Sequence, residues 1–123
     1  MRDLVRLSGV AASVAGLLLA SMTMPMAAGA LAIGACGAYG HAYDFADVQT
    51  ARAAALKNCP GHCKQVVTAQ KSCVALAVDG RKPCGPPGYA NASRLGAAQN
   101  AALKLCYKRG GKACVIRAWI CDA

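Results

Sequence analysis

The sequence predicts an α+β fold made of a duplicated strand-strand-helix-strand unit, with two helices packed on a mostly antiparallel sheet and stapled by disulfides. Three observations carry this expectation. An ordered set of segments occurs twice, all eight cysteines lie at or beyond residue 36, and the first 30 residues read as a leader rather than as part of a domain.

The repeat is the strongest of the three. Ala30-Leu31-Ala32-Ile33 returns as Ala75-Leu76-Ala77-Val78. Ala51-Arg52-Ala53-Ala54-Ala55-Leu56-Lys57-Asn58-Cys59 returns as Ala98-Gln99-Asn100-Ala101-Ala102-Leu103-Lys104-Leu105-Cys106, identical at six of nine positions. Each copy then has a second cysteine opening a β-branched run, Cys63 to Thr68 and Cys114 to Ile120. Alanine-rich composition alone does not produce three segments in the same order twice.

In the first copy, Gly29 to Ile33 and Ala38 to Tyr43 are predicted to form a hairpin across the turn-rich Gly34 to Gly37. Asp47 is placed to cap a helix, since its carboxylate can accept from the free amides of the first turn. That helix keeps Val48, Ala51, Ala55 and Leu56 inward and ends at Asn58 and Pro60-Gly61. In the second copy, Val74 to Val78 is a strand, Asp79 to Pro87 a loop rich in Gly and Pro, and Gly88 to Asn91 a second strand. Ser93 is expected to cap a helix from Arg94 to about Lys108, and Gly110-Gly111 to stop it before a last strand, Ala113 to Cys121.

Residues 1–28 are assigned as a signal peptide and 29–123 as one domain, with repeat halves of about 29–73 and 74–123. Arg2 and Arg6 precede an apolar run from Leu7 to Ala20, and the small residues of Met26-Ala27-Ala28-Gly29-Ala30 follow. The run is shorter than the roughly 20 residues a membrane-spanning helix needs, so cleavage is expected between Ala27 and Ala30. A secreted or periplasmic (cell-envelope) location is the consequence, and it permits disulfides.

The whole chain carries a formal charge of +9 and contains no glutamate. Without the leader, twelve Lys and Arg remain against four Asp. Such a balance attracts anionic partners without choosing among them. The charges are dispersed except for Lys108, Arg109 and Lys112.

Eight cysteines allow on the order of a hundred pairings, but equivalent places in two copies should make equivalent bonds. Cys59 with Cys63 and Cys106 with Cys114 would each join a helix end to the next strand. Cys73 and Cys121 each close the third strand of a copy and are expected to pair across the centre. Cys36 with Cys84 remains, one in each hairpin connection.

Cys59-Pro60-Gly61-His62-Cys63 also raises redox and zinc readings. A redox pair of the usual kind has two intervening residues at a helix N-terminus, whereas this one has three at a C-terminus. Zinc would need a fourth ligand and reducing conditions. A structural disulfide is the favoured reading, with His62 an exposed turn residue. No metal and no cofactor is expected.

Tyr39, His41 and Tyr43 alternate along one strand and share a face. They are either an aromatic platform for a ligand or, as the favoured reading, cross-strand packing. Trp119 is expected in the core. No base, nucleophile and orienting group can be assembled, and His41 and Asp44 point to opposite faces of their strand, so no enzyme is expected.

The chain resembles the domain-of-unknown-function family 4189, small exported bacterial proteins. The resemblance rests on Gly29-Ala30-Leu31-Ala32, Gly37-Ala38-Tyr39-Gly40-His41-Ala42-Tyr43-Asp44, the alanine-rich helix ending in Cys59, Cys63-Lys64-Gln65-Val66-Val67, Cys73-Val74-Ala75-Leu76-Ala77, Ala92-Ser93-Arg94 and Trp119-Ile120-Cys121. Cys36, Cys84 and the long loop Asp79 to Pro87 depart from that pattern. The resemblance implies export and fold, and no catalytic residues.

The leading functional expectation is an exported, non-enzymatic binding or interaction protein, monomeric, acting on an unknown protein or anionic envelope component. Its candidate ligand-binding residues are Tyr39, His41, Tyr43, Lys108, Arg109 and Lys112. No specific nucleic acid and no integral membrane span after leader removal is expected. The alternatives are an inhibitor or immunity protein that blocks an enzyme with the Asp79 to Pro87 loop, and a cationic envelope-active factor.

Overall fold

The structure is a computed structural model that describes residues 27–122; the assigned signal peptide lies outside the described residues except for its last two positions. The chain forms β1 (Ala28–Gly34), a short 3-10 turn (Ala35–Gly37), β2 (Tyr39–Phe45), α1 (Val48–Lys57), β3 (Cys63–Ala69), β4 (Ser72–Asp79), β5 (Gly88–Ala92), α2 (Leu95–Lys108) and β6 (Cys114–Asp122). The fold is α+β, with each half reading strand, strand, helix, strand. The strands make two antiparallel three-stranded sheets, ordered β2-β1-β3 and β5-β4-β6, where the sequence reading has a single sheet.

Side-chain size explains the layering. On the central strands β1 and β4, alternate positions face opposite sides. Leu31, Ile33, Val74, Leu76 and Val78 join Ala69, Ala118 and Ile120 in one core cluster between the sheets. The intervening alanines face outward, Ala28, Ala30 and Ala32 against Ala51 and Ala55 of α1, and Ala75 and Ala77 against Ala98 and Ala102 of α2. The result is four layers, helix on sheet on sheet on helix. Large residues hold the sheets together, and methyl groups let each helix lie close.

Two glycines take that closeness further. A Cβ on Gly40 would run into the α1 backbone at the Ala55 carbonyl and the Cys59 amide, and one on Gly88 would meet the Ala102 carbonyl and the Cys106 amide of α2. Gly40 pairs with Ala32 and Gly88 with Ala77, so each glycine stands in the same place in its own sheet.

The termini of α1 and α2 are set by local hydrogen bonds. The Asp47 carboxylate accepts from the Thr50 amide at 2.8 Å and the Thr50 hydroxyl at 2.7 Å, as the sequence predicts. Ser93 does not cap α2. Arg94 takes the N-cap position, without a side-chain bond, because its carbonyl receives the first helical amide, from Ala98. At the other end Gly110, at φ +103, lets the Gly111 amide reach the Cys106 carbonyl at 3.0 Å and close the helix. Leu56, expected inward, is 39% exposed, since Ala51 and Ala55 already fill the contact with β1.

Four disulfides join Cys36 to Cys84, Cys59 to Cys63, Cys73 to Cys121 and Cys106 to Cys114. These are the pairs expected from equivalence, but one reason given for them is corrected. Cys73 does not close the first half's third strand, which ends at Ala69; it lies in β4, directly opposite Cys121 of β6. That bond is therefore a rung within one sheet. Cys36–Cys84 alone ties the first half to the second.

Asp79, buried at the end of β4, accepts from the Arg81 amide at 2.8 Å, the Lys82 amide at 3.3 Å and, across the turn after α2, the Lys112 amide at 3.1 Å. The Lys112 and Arg81 amides hold its carboxyl below the ordinary carboxylate value, outweighing desolvation. A depressed folded-state pKa stabilises the fold above the unfolded value of about 3.9 and ceases to do so as pH falls through the folded value. Denaturation midpoints at pH 7 and pH 2.5 are thus expected to differ less in Asp79→Asn than in the wild type. Equal pH dependence in the two proteins would contradict this role.

Candidate aromatic groove

The face of β2 that carries Tyr39, His41 and Tyr43 is opposite the one that Gly40 and Ala42 press on α1. Successive rings along it are 5.9 Å apart between centroids, tilted rather than stacked. Because β2 is an edge strand, this face extends past the sandwich and meets β6, the edge strand of the other sheet. Tyr43 is 58% exposed, and His41 is exposed too. Tyr39 is half-buried and packs against the core between the sheets, so the packing that the sequence reading favoured holds for it but not for His41 and Tyr43.

β6 supplies the second wall through a bulge. Its pairing with β4 shifts between Leu76–Ala118 and Ala77–Ile116, leaving Arg117 as the extra residue. The bulge reverses the alternation of the strand. Ile116 joins the α2-side cluster, Ala118 and Ile120 turn into the core between the sheets, and Trp119 comes out, 50% exposed. The expectation of a core Trp119 is therefore wrong. A bulge has no sequence signature in this run of apolar residues.

Between the walls lies a cleft of about 470 Å³, lined by Tyr39, His41, Gln99, Ile116, Arg117, Ala118 and Trp119. It adjoins a hollow of about 280 Å³ lined by His41, Tyr43, Trp119, Ile120 and Cys121. Hydrogen bonds tie the walls at both ends. Arg117 Nε donates to the Gly37 carbonyl at 3.0 Å, and the Asp44 amide donates to Asp122 Oδ2 at 2.9 Å. Along the back, Asn58 Nδ2 donates to the His41 carbonyl at 3.1 Å, which fixes β2 to the end of α1. The Arg117 guanidinium lies 5.3 Å from the Tyr39 ring centroid, in cation–π contact.

The basic residues named with the aromatic row do not join it. Arg109 lines a separate cleft with Tyr89, His62, Lys64 and Gln65, where its guanidinium sits 5.5 Å from the Tyr89 ring and donates to the Pro87 carbonyl at 2.8 Å. Lys108 and Lys112 are exposed around the end of α2, and Lys112 engages Asp79 only through its amide. Arg117, Trp119 and Gln99 are the groove residues that the sequence reading missed. Among the described residues, no group of three or more His, Cys, Asp or Glu is placed to hold a metal ion.

A family model described as Domain of unknown function (DUF4189) matches residues 28–121, the span from the first residue of β1 to the penultimate residue of β6. The chain belongs to this family. No curated protein and no solved structure matches it. The groove thus lies wholly within the DUF4189 domain, and each wall is an edge strand of a different half. In this DUF4189 chain the Cys36–Cys84 bond adjoins Gly37, whose carbonyl anchors Arg117, so the staple between the halves also braces one end of the groove. No helix of the described residues is long and apolar enough to cross a membrane.

Proposed function

We propose that this protein is an exported, non-enzymatic binding module whose ligand lies in the groove between β2 and β6. One observation carries the reading: the single tryptophan, Trp119, stands with His41 and Tyr43 in an open cleft instead of in the core. A domain this small gains stability by burying such residues, so leaving them at the surface favours a binding role. Four disulfides among the described residues support a location outside the cytoplasm. The leader is taken to be cut before Ala28, because Ala28 is fully buried against α1 and any later cut would remove it. We also read the two halves as copies of one unit, supported by the common element order and by Gly40 and Gly88 at the same register.

Trp119 is the only tryptophan, so its fluorescence reports this groove alone. Addition of the true ligand class is expected to shift Trp119 emission saturably. Trp119→Ala and Tyr43→Ala are expected to keep the wild-type melting temperature within a few degrees and to weaken binding at least tenfold, read by calorimetry because the first variant has no tryptophan fluorophore. Binding unchanged in both variants would remove the groove from consideration.

A second reading, an inhibitor acting through residues 80–87, is favoured by the way that loop is held. Cys84 is bonded to Cys36, Asp79 accepts two of the loop's amides, and the Gly85 amide donates to the Lys82 carbonyl at 3.0 Å. Preorganised loops lose little entropy on docking. Insensitivity to Trp119→Ala together with loss of binding in a Lys82→Ala/Pro83→Ala variant would favour it.

A further inference from the structure

We propose that the groove takes an acidic glycan, with a uronate carboxylate on Arg117 and sugar rings on Trp119 and Tyr43. The inference rests on the groove being the ligand site and names what fills it. Arg117 is held in place before any ligand arrives: its Nε is occupied by the Gly37 carbonyl and one face of its guanidinium by Tyr39. Among the described residues, no hydrogen bond uses its two terminal nitrogens, the pair that grips a carboxylate side by side. All twelve basic side chains among the described residues are exposed. Three of the four carboxylates, Asp47, Asp79 and Asp122, accept backbone amides.

The groove also has a direction. Arg117 stands at the Gly37 end, and Asp44 and Asp122 at the other, so an anionic group is attracted to the first and repelled from the second. Arg117 and Trp119 are two steps apart along β6, with Ala118 between them, about 7 Å of strand. A carboxylate and the ring that stacks beside it must therefore be close together in the ligand. A uronate meets that requirement because the acid is borne on the sugar ring itself.

The same bulge argues against a peptide. Strand addition needs an unbroken row of amides and carbonyls on an edge, and Arg117 interrupts that row on β6 beside the groove. The cleft is shallow and presents rings and polar groups, where a peptide's apolar anchors would need an enclosed pocket. Open aromatic faces with an amide such as Gln99 suit the alternating apolar and hydroxyl faces of a sugar chain.

The test is a Trp119 fluorescence titration of the whole leaderless protein, with its disulfides intact, against tetragalacturonate, its fully methyl-esterified form and chitotetraose. Tetragalacturonate is expected to bind at least tenfold more tightly than either neutral chain. Arg117→Gln is expected to abolish that preference, and Arg117→Lys to restore it in part, since charge returns without the fork. Equal binding of acidic and neutral chains would overturn the carboxylate assignment and leave the groove as the site. Failure of all three glycans to shift Trp119 would overturn the glycan itself. If, in addition, neither Trp119→Ala nor Tyr43→Ala weakened binding to a ligand found by other means, the groove reading would fall as well. The comparison of acidic and neutral chains uses the wild-type protein, so it stands even if Arg117 variants fold poorly.

Discussion

The double variant Cys73→Ala/Cys121→Ala is expected to lose about 4 kcal/mol of stability, against about 2 kcal/mol for Cys59→Ala/Cys63→Ala, because its bond closes a 48-residue separation and the helix-end bond only 4. In a domain of this size the larger loss corresponds to a fall in melting temperature of roughly 15 to 30 °C. The Cys36–Cys84 bond spans the same separation of 48 and carries the same entropic effect. Cys73 differs in being buried against α2, so its removal also leaves a small void beside Ala75 and Ala98. The expected order of damage is Cys73–Cys121, then Cys36–Cys84, then the two helix-end bonds. Urea unfolding of the four double variants measures it, and equal losses in all four would refute the loop-length argument.

Gly88→Ala is the point substitution expected to do most harm, about 3 kcal/mol or outright failure to fold. The added Cβ would meet the α2 backbone, which cannot rotate aside as a flexible side chain can. Gly40→Ala should behave alike against α1. Gly96→Ala supplies the contrast: it lies inside α2, a Cβ there meets nothing within 4 Å, and removing glycine from a helix stabilises by about 0.5 to 1 kcal/mol. Opposite signs at Gly88 and Gly96, read from thermal melts, would show that the layer spacing and not glycine content sets the effect. A tolerated Gly88→Ala would mean that the helix can lift away from its sheet.

Much of the scaffold was legible because it follows from local chemistry. Asp47 announces the start of α1, Gly110-Gly111 the end of α2, and cysteines placed alike in two copies suggest their partners. What escaped depends on tertiary context. The alternation of Ala with Leu, Ile or Val in β1 and β4 marks strands covered on both faces, but it does not say that the second cover is another sheet. The boundary between β3 and β4 was misplaced because the link Gln70-Lys71 has no Gly, Pro or Asn, although Lys71 adopts φ +50. Cys73 was assigned to the wrong strand for that reason. At the groove, the aromatic row on β2 followed from simple alternation. Its partners Arg117 and Trp119 did not, since one extra residue in β6 exchanges which side chains face inward.

The thin alanine contacts beneath both helices bear on how far each outer layer depends on oxidation. Methyl groups bury little area, so the outer layers add little hydrophobic free energy of their own, and sulfur bridges at the C-terminal end of each helix hold them down. Before oxidation those fasteners are absent. The reduced chain is therefore expected to open first at its two helical layers, and faster amide exchange in α1 and α2 on adding reductant would show it.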